Sequence, residues 1–187
     1  MTGDGAGAMA HWRRLDRQGT DRCTLGRTDQ GWMLTGQAVW REDGEVALTY
    51  AVRCNRHWHT LSADITGTHA GREIGLRILR TPEGWQMNDT SQPDVADCTD
   101  IDLSFTPATN LLALRRLALD GPAPQPVSAA WLPPDLARLR RLDQTYARVG
   151  DGRIDYASPG FSARLSVHDS GFVTQYPGLW EGWVDDG

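Results

Sequence analysis

The sequence predicts a mainly all-β domain built on an antiparallel sheet, with at most one or two short helices. Three observations predict it. Apolar and polar residues alternate with period two in short runs, the runs are separated by tight-turn dipeptides, and no helix-length pattern lies between them.

The runs can be taken in chain order. Val46, Leu48, Tyr50, Val52 and Cys54 share one face, with Ala47, Thr49, Ala51 and Arg53 on the other. Leu61, Ala63 and Ile65 repeat the pattern, as do Ile74, Leu76 and Ile78, and Ile101, Leu103 and Phe105. Phe161, Ala163, Leu165 and Val167 alternate with Ser162, Arg164, Ser166 and His168, the clearest strand in the chain. The dipeptides Asp43-Gly44, Glu83-Gly84, Asp151-Gly152 and Ser170-Gly171 supply the positive φ that hairpins need. Strands joined so tightly pair antiparallel, which argues against a βαβ architecture.

Two segments carry more specific expectations. Pro134, followed by Leu136, Leu139 and Leu142, suits the first turn of a short helix whose solvated side holds Arg138, Arg140 and Arg141. Ala113 to Leu119 reads as a strand, with Arg115 and Arg116 on opposite faces. One of these arginines then points inwards. It either meets an aspartate such as Asp100 or Asp102, or faces a polar cavity and an anionic or hydroxyl-rich ligand, because a buried guanidinium without a partner is costly. Residues 1–10 read as a disordered tail and residues 11–187 as a single domain, with Gly121 to Pro126 as a loop.

Composition narrows the function. The 187 residues carry a net charge of -5, so no broad cationic surface faces a nucleic acid. All nineteen basic residues are arginine, as a GC-rich coding bias would give. Eight tryptophans suit the walls and rim of a sheet that curls. Three cysteines without a CxxC pair fit a reducing compartment, and neither a secretory leader nor a membrane-spanning run of about 20 apolar residues is readable. A cytoplasmic location is expected.

Catalytic motifs are scarce. No GxSxG elbow, phosphate-binding loop or dinucleotide fingerprint occurs, and no cofactor is implied. His57 and His59 could share one side of a strand, yet no third metal ligand has matching spacing. Asp97, Asp100 and Asp102 allow a hydrolase reading, with Asp100 and Asp102 as a carboxylate pair. The expectation is a non-enzymatic binding protein. A protein–protein interaction domain using an exposed sheet face is the alternative.

The order of several motifs resembles the bacterial putative glycolipid-binding family. They are Asp100-Ile101-Asp102-Leu103, then Thr106-Pro107-Ala108-Thr109-Asn110, then Leu112-Ala113-Leu114-Arg115-Arg116-Leu117. Gln144-Thr145-Tyr146, the strand Phe161 to Val167, Gly171-Phe172-Val173 and Tyr176-Pro177-Gly178-Leu179-Trp180 follow, and a Tyr50 strand leading to Trp58 lies upstream. The match spans roughly residues 30–183. Ala113, Ala108 and Asn55 depart from the family pattern, where a proline, a bulky residue and an aspartate are usual. The resemblance implies a strongly curved antiparallel sheet, barrel-like or half-barrel, around an apolar cavity for a glycolipid or other amphiphile. It implies Asn110, Arg115, Arg116, Tyr146, Tyr176 and Trp180 as ligand contacts; Trp40 and Trp85 join them on aromatic character alone.

Overall fold

A computed structural model describes residues 7–185. The first run of strands comprises β1 (Met9–Arg14), β2 (Gly19–Thr28), β3 (Gly31–Arg41), β4 (Glu45–Asn55), β5 (Thr60–His69), β6 (Arg72–Thr81), β7 (Gly84–Met87) and β8 (Thr90–Ser91). A 3-10 turn at Pro93–Val95 leads to β9 (Asp100–Leu103) and helix α1 (Asn110–Leu117). The second run follows as β10 (Gln125–Leu132), β11 (Arg140–Gly150), β12 (Arg153–Ser158), β13 (Phe161–Val167), β14 (Val173–Tyr176) and β15 (Trp180–Asp185).

All fifteen strands form one sheet, ordered β8-β7-β6-β5-β4-β3-β2-β1-β15-β14-β13-β12-β11-β10-β9. The sheet curls without closing. Its two runs are joined where β1 pairs with β15, placing Met9 opposite Asp185. Side chains bridge the two ends of the curl. The Ile101 amide donates to Thr60 Oγ1 at 3.1 Å, and the Leu139 amide to Gln92 Oε1 at 3.0 Å.

Alternation builds the core as expected. Val46, Leu48, Tyr50, Val52 and Cys54 of β4 are all buried, and each of the four expected turn glycines adopts positive φ. Several expectations need correction. Leu61 is 38% exposed, because a bulge opposite Arg53 and Cys54 gives the inward place to Thr60. The expected strand 113–119 is instead helix α1: Asn110 to Ala113 are buried, and the run of leucine, alanine and arginine contains no β-branched residue to oppose a helix. The helix expected after Pro134 is an irregular loop, since Leu136 has φ +54° and its amide bonds back to Pro133 O at 3.0 Å. Helix α1 also makes β9–α1–β10 a βαβ crossover, contrary to the expectation of no such unit, which is why β9 pairs parallel with β10 in an otherwise antiparallel sheet.

The tail boundary also shifts, because β1 starts at Met9 and Ala10 is buried. Residues 1–6 of the expected tail lie outside the described residues. Residues 101–113 are almost wholly buried, so α1 and the loop before it plug the curl.

Candidate functional site

Helix α1 begins against the second run of strands. Alternation on β11 sends Gln144 and Tyr146 inwards, and register places Tyr156 of β12 opposite Tyr146. Asn110 Nδ2 donates to the Tyr146 hydroxyl at 2.9 Å. The Tyr146 hydroxyl donates to Gln144 Oε1 at 3.4 Å, and Gln144 Nε2 donates to the Tyr156 hydroxyl at 3.1 Å and to Asp102 Oδ2 at 2.6 Å. Tyr176 of β14 packs on Tyr156 with ring centroids 5.8 Å apart. Phe161 touches both rings and is 37% exposed, so the aromatic chain reaches the surface.

Asp102 is the carboxylate of this cluster. It is half-buried, and burial pushes its carboxyl up to about 6 against the opposing bonds from Gln144 and Thr109. Burial likewise raises Tyr146, Tyr156 and Tyr176, each augmented by neighbouring acidic groups, so all three hydroxyls stay protonated donors. Amide, hydroxyl and carboxylate groups thus satisfy one another between aromatic rings, with half-buried Asp102 and exposed Phe161 as the outermost members of the cluster.

Asn110, Tyr146 and Tyr176 come together here; the remaining expected contacts do not. Arg116 donates to Asp100 from Nε at 3.1 Å and from Nη2 at 2.5 Å, which is the aspartate pairing that the sequence offered as one alternative. Arg115 is exposed and donates to the Asp169 and Ser170 carbonyls. Trp40 and Trp180 flank the Arg14 guanidinium at 5.7 and 4.8 Å, at a separate place formed by β1, β3 and β15. Trp85 is buried and donates to Cys98 O at 2.9 Å, a structural role. Gln144 and Tyr156 were missed as contacts. Gln144 lies two residues before Tyr146, so the period of the strand could have found it, whereas Tyr156 depends on cross-strand register.

At the other end of α1, a cleft of about 470 Å³ is lined by Leu114, Leu119, Ile154 and Val167, with Arg115 and Arg148 beside them. Among the described residues, no group of three His, Cys, Asp or Glu side chains could hold a metal ion, and His57 and His59 occupy the β4–β5 turn. No helix of the described residues is long and apolar enough to cross a membrane.

No curated protein matches the chain. The crystal structure of a DUF1089 family protein from Pseudomonas aeruginosa matches with a TM-score of 0.74 and 26% identity, covering 86% of this chain and 91% of that one. A family model described as putative glycolipid-binding matches residues 9–182, from the first residue of β1 into β15. The chain therefore belongs to the putative glycolipid-binding family.

Proposed function

We propose that the protein is a non-catalytic binding protein for a glycolipid or similar amphiphile, and that the Asp102 cluster takes its hydroxyl-rich head group. The observation behind this reading is the convergence of Asp102, Gln144, Asn110 and three tyrosines on one aromatic-walled spot. A sugar offers hydroxyls to a carboxylate and an amide, and an apolar C–H face to an aromatic ring. The family description supports a binding role.

The acyl part would lie in the cleft beside α1, along Leu114, Leu119, Ile154 and Val167, with Arg115, Arg148, His168 and Asp169 at its polar side. Tyr146 and Tyr156 lie two residues along their strands from Arg148 and Ile154, about 7 Å at the usual rise. An amphiphile lying alongside the helix would reach from the cluster into the cleft. Apolar burial would dominate its affinity, at about 25 cal/mol per Å², and the polar cluster would choose the head. Asp100 is buried and held by Arg116, so it is not presented to a guest beside Asp102 as a carboxylate pair for hydrolysis would be, which favours binding over turnover.

Native mass spectrometry with an alkyl glucoside and the alcohol of the same chain length tests this. The protein should retain the glucoside preferentially, and Asp102→Asn and Gln144→Leu should each abolish the preference while the melting curve stays cooperative. Equal retention of both probes by the unmodified protein would sink the head-group assignment.

A further inference from the structure

A second cluster, chemically unlike the Asp102 site, lies where the β2–β3 and β4–β5 turns meet. Arg27, Thr28, Asp29, Gly31, Trp32 and Arg56 line a cavity of about 640 Å³. Trp32 stacks flat on Trp58, with ring centroids 4.8 Å apart and planes 9° from parallel. Arg27 lies over Trp32 at 5.9 Å and Arg115 over Trp58 at 5.8 Å, so two guanidiniums bracket two indoles.

The charges that line the cavity point to a ligand. Among the described residues, no carboxylate forms an ion pair with Arg27, Arg56 or Arg115; Arg56 Nη2 donates only to the Asp29 main-chain oxygen, at 2.9 Å. The cavity thus holds two guanidiniums against the single Asp29 carboxylate, within a chain whose net charge is -5.

The local backbone is specialised as well. Trp58 has φ +66°, a conformation rare for a bulky side chain. The Asn55 side chain maintains it, its Oδ1 accepting from the His57 and His59 amides at 2.9 and 3.1 Å. The strained turn holds the Trp58 ring flat beneath Trp32, so Trp32 and Arg27 form a preorganised wall.

We propose that this end of the sheet binds a phosphate-type oxyanion carried on an apolar or aromatic group. Arg27 and Arg56 grip the oxyanion, and Trp32 supports the group that carries it. A tetrahedral oxyanion has enough oxygens to engage two guanidinium forks at once, whereas a carboxylate is filled by one. The site is independent of the Asp102 cluster and stands or falls without it.

Calorimetric titration with inorganic phosphate and with phenyl phosphate at low salt tests the site, beside sedimentation with phosphatidylglycerol and phosphatidylcholine vesicles. Phenyl phosphate should bind more tightly than inorganic phosphate, and Arg27→Gln and Arg56→Gln should each weaken it tenfold or more. Arg72→Gln, on an exposed arginine of β6 outside the cavity, should leave affinity unchanged. Sedimentation with phosphatidylglycerol alone, lost in the two cavity variants, would assign the oxyanion to a lipid head group; binding of phenyl phosphate without vesicle binding would assign it to a soluble ester. Absence of binding to every probe, or equal weakening by Arg72→Gln, overturns the proposal.

Discussion

The Arg116 guanidinium grips the Asp100 carboxylate through two nitrogens, and the Asp100 side chain is only 3% exposed. Replacing one partner strands the other. Arg116→Met is expected to cost about 3 kcal/mol, because it leaves a buried carboxylate without its counter-charge. The double variant Asp100→Leu/Arg116→Met should recover part of the loss. Urea unfolding of the three proteins measures both effects.

Asp21 gives stability a pH dependence of unusual sign. Its buried carboxyl meets the Tyr50 hydroxyl at 3.1 Å and Thr106 Oγ1 at 2.5 Å, and burial pushes it up to about 8. An unfolded aspartate titrates near 4. Between those values the folded protein holds a proton that the unfolded chain has released, so stability contributed by Asp21 falls as pH rises from about 4 to about 8. Asp21→Asn should flatten that decline in urea midpoints measured across the range.

Ala118 caps α1 with φ 45° and ψ 52°, the left-handed conformation in which glycine loses nothing by lacking a Cβ. Ala118 is exposed, so little packing is at stake. Ala118→Gly should stabilise the protein by about 0.5–1 kcal/mol. Thermal melting should show a rise of roughly 1–4 °C.

Gly36 is needed for a different reason. A Cβ there would lie 2.2 Å from Tyr50 Cζ and 2.6 Å from the Arg22 carbonyl oxygen. Tyr50 is fully buried and bonded to Asp21, so it has nowhere to move. Gly36→Ala is expected to destabilise by at least about 2 kcal/mol, read as a lower urea midpoint.

Head-group binding at the Asp102 cluster should itself depend on pH. Asp102 accepts freely from a sugar hydroxyl only when ionised, and its carboxyl titrates at about 6. Glucoside affinity should therefore rise between pH 5 and pH 7 by several-fold, and the rise should vanish in Asp102→Asn.

Local pattern made the hairpins legible. The alternation of β4 and the positive-φ glycines at residues 44, 84, 152 and 171 are encoded within a few residues of each other. Helix α1 was not legible, because Leu112-Ala113-Leu114-Arg115-Arg116 satisfies a two-residue period as easily as part of a helical turn. Only its burial against the second run of strands decides between them. The loop after Pro134 misled for the converse reason: leucines spaced by three describe a helix face, but Leu136 turns left-handed. The site was half-legible. Asn110, Tyr146 and Tyr176 came from the family resemblance, while Tyr156 joins them through its pairing with Tyr146, which no local pattern records.

The seam between β1 and β15 has a consequence for how the chain can be rewired. Met9 and Asp185 sit side by side in mid-sheet, and the two edge strands, β8 and β9, are consecutive in the chain. Joining the strand ends at residues 9 and 185 and cutting between residues 92 and 99 would give a circular permutant whose strands follow one another across the whole sheet in chain order. The most distant pairing would become a neighbouring one, and such a molecule should fold faster than the natural connectivity allows.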